Sequence, residues 1–427
     1  MNFLIISDIV DIKTKKITHF SLDKGLNLGI GIKNNGYLVD YVVDSENYFE
    51  DGINYLNYKE LTEEKINSYT YIIIIREAII HDILEQFTEL KKVFFNKNRN
   101  SKIIIKSDSS VWINNKDFRK YISNIEKINA SKNSICKWIN NNIDIICVQN
   151  KELYELALKQ NVYKNKLIIS NMAVPNKIID YDNLVNPYLE DYSYCTNKNN
   201  LFAGLALYPL YYEKNPDKIE ELKNKKRKKI IYIGRIKTDF GKIIYLIKDI
   251  INKLGDDYEL HIFPGSFCIY NHENNLIEKY SANNSNHLEI LKNKIFPESK
   301  NVFIHCPFNH SDIYRYLWYA DIGIDFSSSR PYNIQSTAGN AKLLEYCMLG
   351  LPVVSESNVN NSWLVTNANN GILINNIGNV DDYVNSIKQL DQIIIDRKKA
   401  SKITIQNENW DIRAKNMIND LQEIFKV

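Results

Sequence analysis

Apolar residues along this chain gather in short runs, and between the runs they recur three and four positions apart. In the first half such runs fall at 2–7, 38–43, 70–75, 102–106 and 143–148, with helical spacing near 22–34, 80–94, 116–130 and 151–160. An uninterrupted apolar run of strand length reads as a strand buried on both faces, and its alternation with helices predicts a parallel sheet covered on both sides. The second half repeats the pattern, with strands predicted near 229–233, 258–263, 301–305, 321–325, 351–355 and 371–374 and helices near 241–254, 273–293, 311–319, 340–349 and 380–398. From Pro175 to about 228, Pro187, Pro209, Pro216 and many Asn, Asp and Tyr residues break the periodicity. The prediction is an α/β protein of two doubly wound Rossmann-like domains facing a cleft, with ligands at the carboxyl ends of the strands. We place the first domain at 1–210, with an interdomain stretch from about 176, the second at 211–400, and a terminal helix in 401–427. That helix, near 409–425, carries Trp410, Ile412, Ala414, Met417, Ile418, Leu421, Ile424 and Phe425 on a face that must be buried.

Composition narrows the class. At 427 residues the chain is too long for one ordinary core, and 44% hydrophobic with 25% charged residues suits globular domains. A formal net charge of +3 gives no field that would announce nucleic acid. The six cysteines are scattered without paired spacing, which predicts buried free thiols and a reducing compartment. Asp8 and Asp11 directly follow the first apolar run, so it reads as a strand and not a leader. No run approaches the ~20 apolar residues of a membrane-spanning helix. The expected place is the cytoplasm, with any membrane contact peripheral and at the inner face. The block Lys223-Asn224-Lys225-Lys226-Arg227-Lys228-Lys229 reads as a solvated approach to the next strand, or alternatively as a contact for acidic membrane or another polyanion.

The segment from Ser336 to Val354 carries the most chemistry. It joins a polar Gly-bearing loop to a helix, a Gly stop at 350 and an apolar strand. Ser336 or Thr337 can cap the helix, and the backbone N–H groups near Gly339, Asn340 and Ala341 would present its positive end to a diphosphate. Lys342 and Glu345 lie three apart and share a face. A carboxylate beside an anion site has a use if it accepts hydrogen bonds from the two hydroxyls of a ribose, so the pattern points to a nucleotide bearing a diphosphate.

These residues resemble the retaining GT-B glycosyltransferases of the family 4 (glycosyl transferases group 1) type, which include bacterial sucrose, lipopolysaccharide and teichuronic-acid transferases. Ile230-Ile231-Tyr232-Ile233-Gly234-Arg235-Ile236 is similar to the strand and Gly-Arg turn that opens their donor domain, and Asp321-Ile322-Gly323-Ile324-Asp325-Phe326-Ser327 to the strand before their donor loop. Asn370 to Ile374 and Trp410 to Ala414 also match, so the likeness covers roughly the C-terminal half. The resemblance implies a metal-independent hexosyl transfer from a sugar nucleotide, preferably a UDP-sugar, with no further cofactor. It implies that the terminal helix returns to the first domain and that Glu345 meets the nucleotide ribose. Arg235 would give the leaving diphosphate a charge-assisted fork. The family's second basic residue falls at Phe240, a departure that leaves Lys237 or Lys242 to supply the charge, Lys242 being slightly preferred. Its first loop glutamate falls at Thr337, a second departure. Subgroups with a Lys-x-x-Glu-Tyr segment are the most similar, as Lys342 to Tyr346 here.

On the acceptor side, the polar residues Lys106 to Ser110 follow a strand and are expected to project into the cleft, with Asp108 orienting or deprotonating the acceptor hydroxyl. Asp108 reads equally as a helix or turn cap, and His19, which with Phe20 and Ser21 could line the acceptor side, reads first as a local structural residue. The acceptor would be a glycan, lipid-linked or protein-linked. Asp180-Tyr181-Asp182 has the Asp-x-Asp form of metal-dependent transferases but lies in the interdomain stretch, and Gly29-Ile30-Gly31 lacks the rest of a dinucleotide fingerprint. No metal site is expected. The alternatives are a transferase decorating modified bases of viral DNA and a non-catalytic sugar-nucleotide-binding scaffold.

Overall fold

The computed structural model describes residues 1–7, 20–75, 94, 99–107, 119, 122–123, 129–176, 227–234, 236–237, 243–263, 268–271, 276–279, 293, 296–297, 299–304, 313–326, 341–358 and 362–426. The predicted helices near 80–94 and 116–130 and most of the interdomain stretch lie outside these residues. The described elements begin with β1 (Asn2–Ile6), α1 (Phe20–Asn34), β2 (Leu38–Val43), β3 (Tyr48–Glu50), β4 (Ile53–Asn57), α2 (Glu63–Ser68), β5 (Tyr71–Ile75), β6 (Lys102–Lys106), α3 (Lys132–Asn142), β7 (Ile145–Val148), α4 (Lys151–Lys159) and β8 (Leu167–Ile169). They continue with β9 (Lys228–Ile233), β10 (Ile236–Lys237), α5 (Ile243–Leu254), β11 (Tyr258–Phe263), β12 (Cys268–Asn271), β13 (Leu276–Lys279), β14 (Val302–Ile304), α6 (Ile313–Tyr319) and β15 (Ile322–Asp325). The last are α7 (Ala341–Met348), β16 (Val353–Glu356), α8 (Ser362–Ala368), β17 (Gly371–Ile374), α9 (Val380–Asp391), α10 (Arg397–Asn407) and α11 (Trp410–Phe425).

The chain divides into two units, Met1–Asn176 with Thr337–Gly339 and Asn407–Val427, and Lys177–Ser336 with Asn340–Gln406. In the first, eight strands take the order β3-β4-β2-β1-β5-β6-β7-β8, parallel except for the β3–β4 hairpin. Alternate residues of each strand serve opposite helical layers. Phe3, Ile5, Tyr71, Ile73 and Ile75 pack with Leu28 and Ile32 of α1 and Trp410, Ala414, Met417 and Leu421 of α11. Leu4, Ile6, Ile72 and Ile74 pack with Ile66 of α2, Ile135 and Ile139 of α3 and Leu153 of α4. Both faces being buried, Tyr71–Ile75 is apolar at every position, and each large side chain gains about 1.5–3 kcal/mol from burial. Gly31 permits close approach of the last helix, since a Cβ there would lie 2.5 Å from the Trp410 carbonyl oxygen. Trp410 N–H donates to the Val174 carbonyl and Val174 N–H to that of Glu408, fixing the start of α11.

The second unit has a six-stranded parallel sheet, β14-β11-β9-β15-β16-β17. Ile230 and Tyr232 of β9 share a core with α5 and α9 through Ile247, Ile250, Tyr383 and Ile387. Two predictions are corrected here. The stretch 273–293 is not one helix, because Leu276–Lys279 is a strand antiparallel to Cys268–Asn271, and these join β10 in a small separate sheet. The predicted helix 380–398 is two, since α9 ends at Asp391 and α10 starts at Arg397 after Asp396, whose carboxylate accepts the Lys399 N–H at 3.0 Å. Ile393-Ile394-Ile395 between them has no helical period, and only Ile395 packs on the core while Ile394 is 99% exposed.

Candidate functional site

In the second unit the chain runs from β9 to β11 and β14 on one side, then crosses to β15, β16 and β17 on the other. The β9–β15 seam is therefore the switch point of the sheet, and in open α/β sheets the crevice outside such a point binds ligands. Four features meet there. Gly234 ends β9 at φ 135°, a conformation that favours glycine, and its N–H donates to Phe263 at 3.0 Å. Asp325, the last residue of β15, is wholly buried. Lys342, in the first turn of α7, places Nζ 3.5 Å from Asp325 Oδ1 and 4.8 Å from the centre of the Tyr232 ring. Tyr346, one turn further, is wholly buried between strands.

The seam itself is held open. β9 and β15 pair only through Ile230 with Ile322 and Ile231 with Gly323. Past that, the Tyr346 hydroxyl accepts the Ile233 N–H at 3.1 Å and donates to the Ile231 carbonyl at 3.4 Å. In a parallel ladder those two backbone groups would bond a residue of the adjacent strand, so the phenol substitutes for a strand residue and the carboxyl ends part. Gly323 leaves the ring its space, since a Cβ there would meet it at 2.9 Å. Burial pushes the phenol well above its ordinary pKa, with the Ile233 hydrogen bond acting in the opposite direction, and it stays a neutral O–H donor.

Of the residues singled out in the sequence, Ala341, Lys342 and Glu345 are described. They are the three partly exposed residues of α7, while Leu343, Leu344, Tyr346, Cys347 and Met348 are buried, so Lys342 and Glu345 do share the accessible face. Arg235, Lys242, Phe240, Ser336, Thr337, Gly339, Asn340, Asp108, His19, Asp180 and Asp182 lie outside the described residues, although Arg235 follows Gly234 directly. Lys237 is in β10. The expectation that Lys106 and Ser107 project outward is corrected. Both are buried, and Lys106 Nζ donates to the Ser170 carbonyl at 2.7 Å and to its hydroxyl at 3.1 Å, 5.8 Å from the centre of the Trp410 ring.

Sequence reading missed Asp325 and Tyr346. The available signal for Asp325 was a carboxylate ending an otherwise apolar strand. The 223–229 block is partly structural, since Lys228 opens β9 and pairs with Asp391 at 2.9 Å, and Lys229 lies 3.6 Å from Glu259. Among the described residues no group of three or more His, Cys, Asp or Glu could hold a metal, and no helix is long and apolar enough to cross a membrane.

No family model matches the chain, and no curated protein does. Solved structures do. The glycosyltransferase from Rickettsia africae is 12% identical over 100% of this chain and 98% of its own, with a TM-score of 0.56. Sucrose-phosphate synthase from Thermosynechococcus elongatus is 12% identical over 100% and 99%, with a TM-score of 0.55. Anabaena HepE, captured with UDP and glucose, is 9% identical over 99% and 100%, with a TM-score of 0.54. These neighbours are GT-B glycosyltransferases, and the chain has their fold, two Rossmann-like α/β units each built on a largely parallel sheet.

Proposed function

We propose that this protein is a retaining glycosyltransferase of the family 4 type, moving a hexosyl group from a nucleoside-diphosphate sugar to a hydroxyl of a glycan, lipid-linked or protein-linked acceptor. The observation that carries the reading is the convergence of Gly234, Asp325, Lys342 and Tyr346 on the opened β9–β15 switch point, with Glu345 on the same accessible face of α7 as Lys342. HepE, with the same fold, was captured with UDP and with UDP-glucose, which favours a UDP-sugar here.

In the reaction the anomeric C–O bond breaks and the diphosphate departs with its electron pair. The acceptor oxygen then bonds to the anomeric carbon on the face the diphosphate leaves. Stabilising the departing charge lowers the barrier most. Lys342, Arg235 after Gly234, the N–H groups near 339–341 and Lys242 are assigned that work, with Ser336 and Thr337 on the transferred sugar and Glu345 on the ribose. Asp108 is assigned the acceptor proton. No metal or further cofactor is invoked, and the enzyme would act at the cytoplasmic face, with or without peripheral contact through 223–229. The ion pairs of Lys228 and Lys229 weaken the case for that block as a polyanion groove, and with it the viral-DNA alternative.

A thermal-shift panel of sugar nucleotides tests the reading. A ligand at a hundredfold excess over Kd adds about 2.7 kcal/mol to apparent stability, so one donor should stand out. Absence of a shift across UDP-, GDP- and ADP-sugars would reject it, and NMR of the product anomer decides retention.

A further inference from the structure

A carboxylate at the end of a central strand is an odd choice. Asp325 is 0% exposed, and a buried charge is costly unless it is paired. Its oxygens are engaged separately. Oδ2 accepts the hydroxyl of Ser355, itself wholly buried in β16, at 3.1 Å, and Oδ1 faces Lys342 Nζ at 3.5 Å. The lysine is also bounded by the Tyr232 ring and by Gly234, where a Cβ would lie 3.5 Å from its Cε and 3.6 Å from Nζ. Asp325, the Tyr232 ring and Gly234 thus bound one ammonium group whose side chain is only 11% exposed. The 3.5 Å separation exceeds the ~2.7–2.9 Å of a close charge-assisted hydrogen bond. Asp325 therefore orients the ammonium without clasping it.

We propose that Asp325 is a positioning residue of the donor site, holding Lys342 at the Gly234 turn so that its ammonium meets the diphosphate of a bound nucleoside diphosphate. The assignment rests on the donor-site reading given above. Three residues along α7, Glu345 lies about 5–6 Å from Lys342 between Cβ atoms, a spacing that suits a ribose at one side chain and its phosphates at the other. The Ser355 hydroxyl fixes the carboxylate, the carboxylate aims the ammonium, and the ring of Tyr232 supports it from beneath. Asp325 never touches the ligand.

A double-mutant cycle on the full chain tests this, read by calorimetry with whichever of UDP, GDP and ADP the parent protein binds most tightly. Lys342→Met should weaken binding about 10- to 30-fold, and Asp325→Asn about 5- to 10-fold in the parent but under about 2-fold in the Lys342→Met background, because coupled residues are not additive. A purely structural Asp325 would shift the denaturation midpoint and cost the same affinity in both backgrounds. That result, or parent-like binding by Asp325→Asn, overturns the proposal. Should Asp325→Asn not fold, Ser355→Ala carries the same cycle, with a loss that must again vanish without Lys342. If the parent binds none of the three diphosphates, the donor-site reading falls with it. If the parent binds and Glu345→Ala weakens it while the Asp325 and Lys342 variants do not, only the positioning role falls.

Discussion

The Tyr346 hydroxyl lies 3.1 Å from the Ile233 N–H, 113 residues away in sequence, and thereby takes a place in the sheet that a neighbouring strand would otherwise fill. It keeps β9 and β15 apart at their carboxyl ends while pairing the Ile233 N–H and the Ile231 carbonyl. The adjacent Glu345 is partly exposed on the same helix.

Tyr346→Phe should therefore cost stability. The Ile233 N–H and the Ile231 carbonyl lose their partner in a buried setting, where an unsatisfied group costs about 1–3 kcal/mol. Urea denaturation should show a lower midpoint at unchanged slope. An unchanged midpoint would mean that water or strand closure satisfies the seam.

Glu345→Ala should leave the denaturation midpoint close to the parent's, because the side chain is on the accessible face of α7. Nucleoside diphosphate affinity should fall about ten- to a hundredfold, as a hydrogen bond to a charged group contributes roughly 1.5–3 kcal/mol. Calorimetry giving the parent Kd would remove the ribose from this position.

Arg235→Ala should reduce kcat more than it raises KM, since the leaving charge it is proposed to meet is larger in the transition state than in the bound donor. Steady-state kinetics of sugar transfer give the split. A pure KM effect would make Arg235 a ground-state binding residue.

Chelator should leave transfer intact, because the proposed donor site assigns the diphosphate to side-chain cations and backbone N–H groups. Activity lost with EDTA and restored by magnesium or manganese would direct attention back to Asp180 and Asp182.

Cys147 and Cys347 are both pushed up to about 12 by burial, from an ordinary value of 9.0. A raised pKa in the folded state means that the native protein holds these protons while the unfolded chain releases them. Their contribution to stability is complete below 9.0 and is lost as pH rises toward about 12. Iodoacetamide at pH 8 should spare both in the native protein and label them in denaturant, as peptide mass spectrometry would detect. Native labelling of either thiol would show that its strand or helix opens.

Much of the fold was legible in the chain because its strands are buried on both faces and announce themselves as unbroken apolar runs. Ile72-Ile73-Ile74-Ile75 could hardly be anything else. Helices with caps were less secure: α3 was missed although Ser131 accepts the Ser134 N–H at 3.2 Å, because its apolar face is interrupted by Asn140, Asn141 and Asn142. Leu276–Lys279 was read as helical because a short apolar pair fits either period, and its partner strand Cys268–Asn271 decided the matter.

The sequence alone determined two α/β series and a Lys-x-x-Glu-Tyr helix, and from that helix it raised the expectation of a nucleotide ligand. These are local properties, encoded in spacing over a few turns. Tertiary structure decided that β9 lies beside β15, that Tyr346 reaches across that seam, and that Asp325 faces Lys342. Strand order is a relation between segments some ninety residues apart, set by which buried faces pack together and not by the period of either segment, and the candidate site is the seam that this order creates.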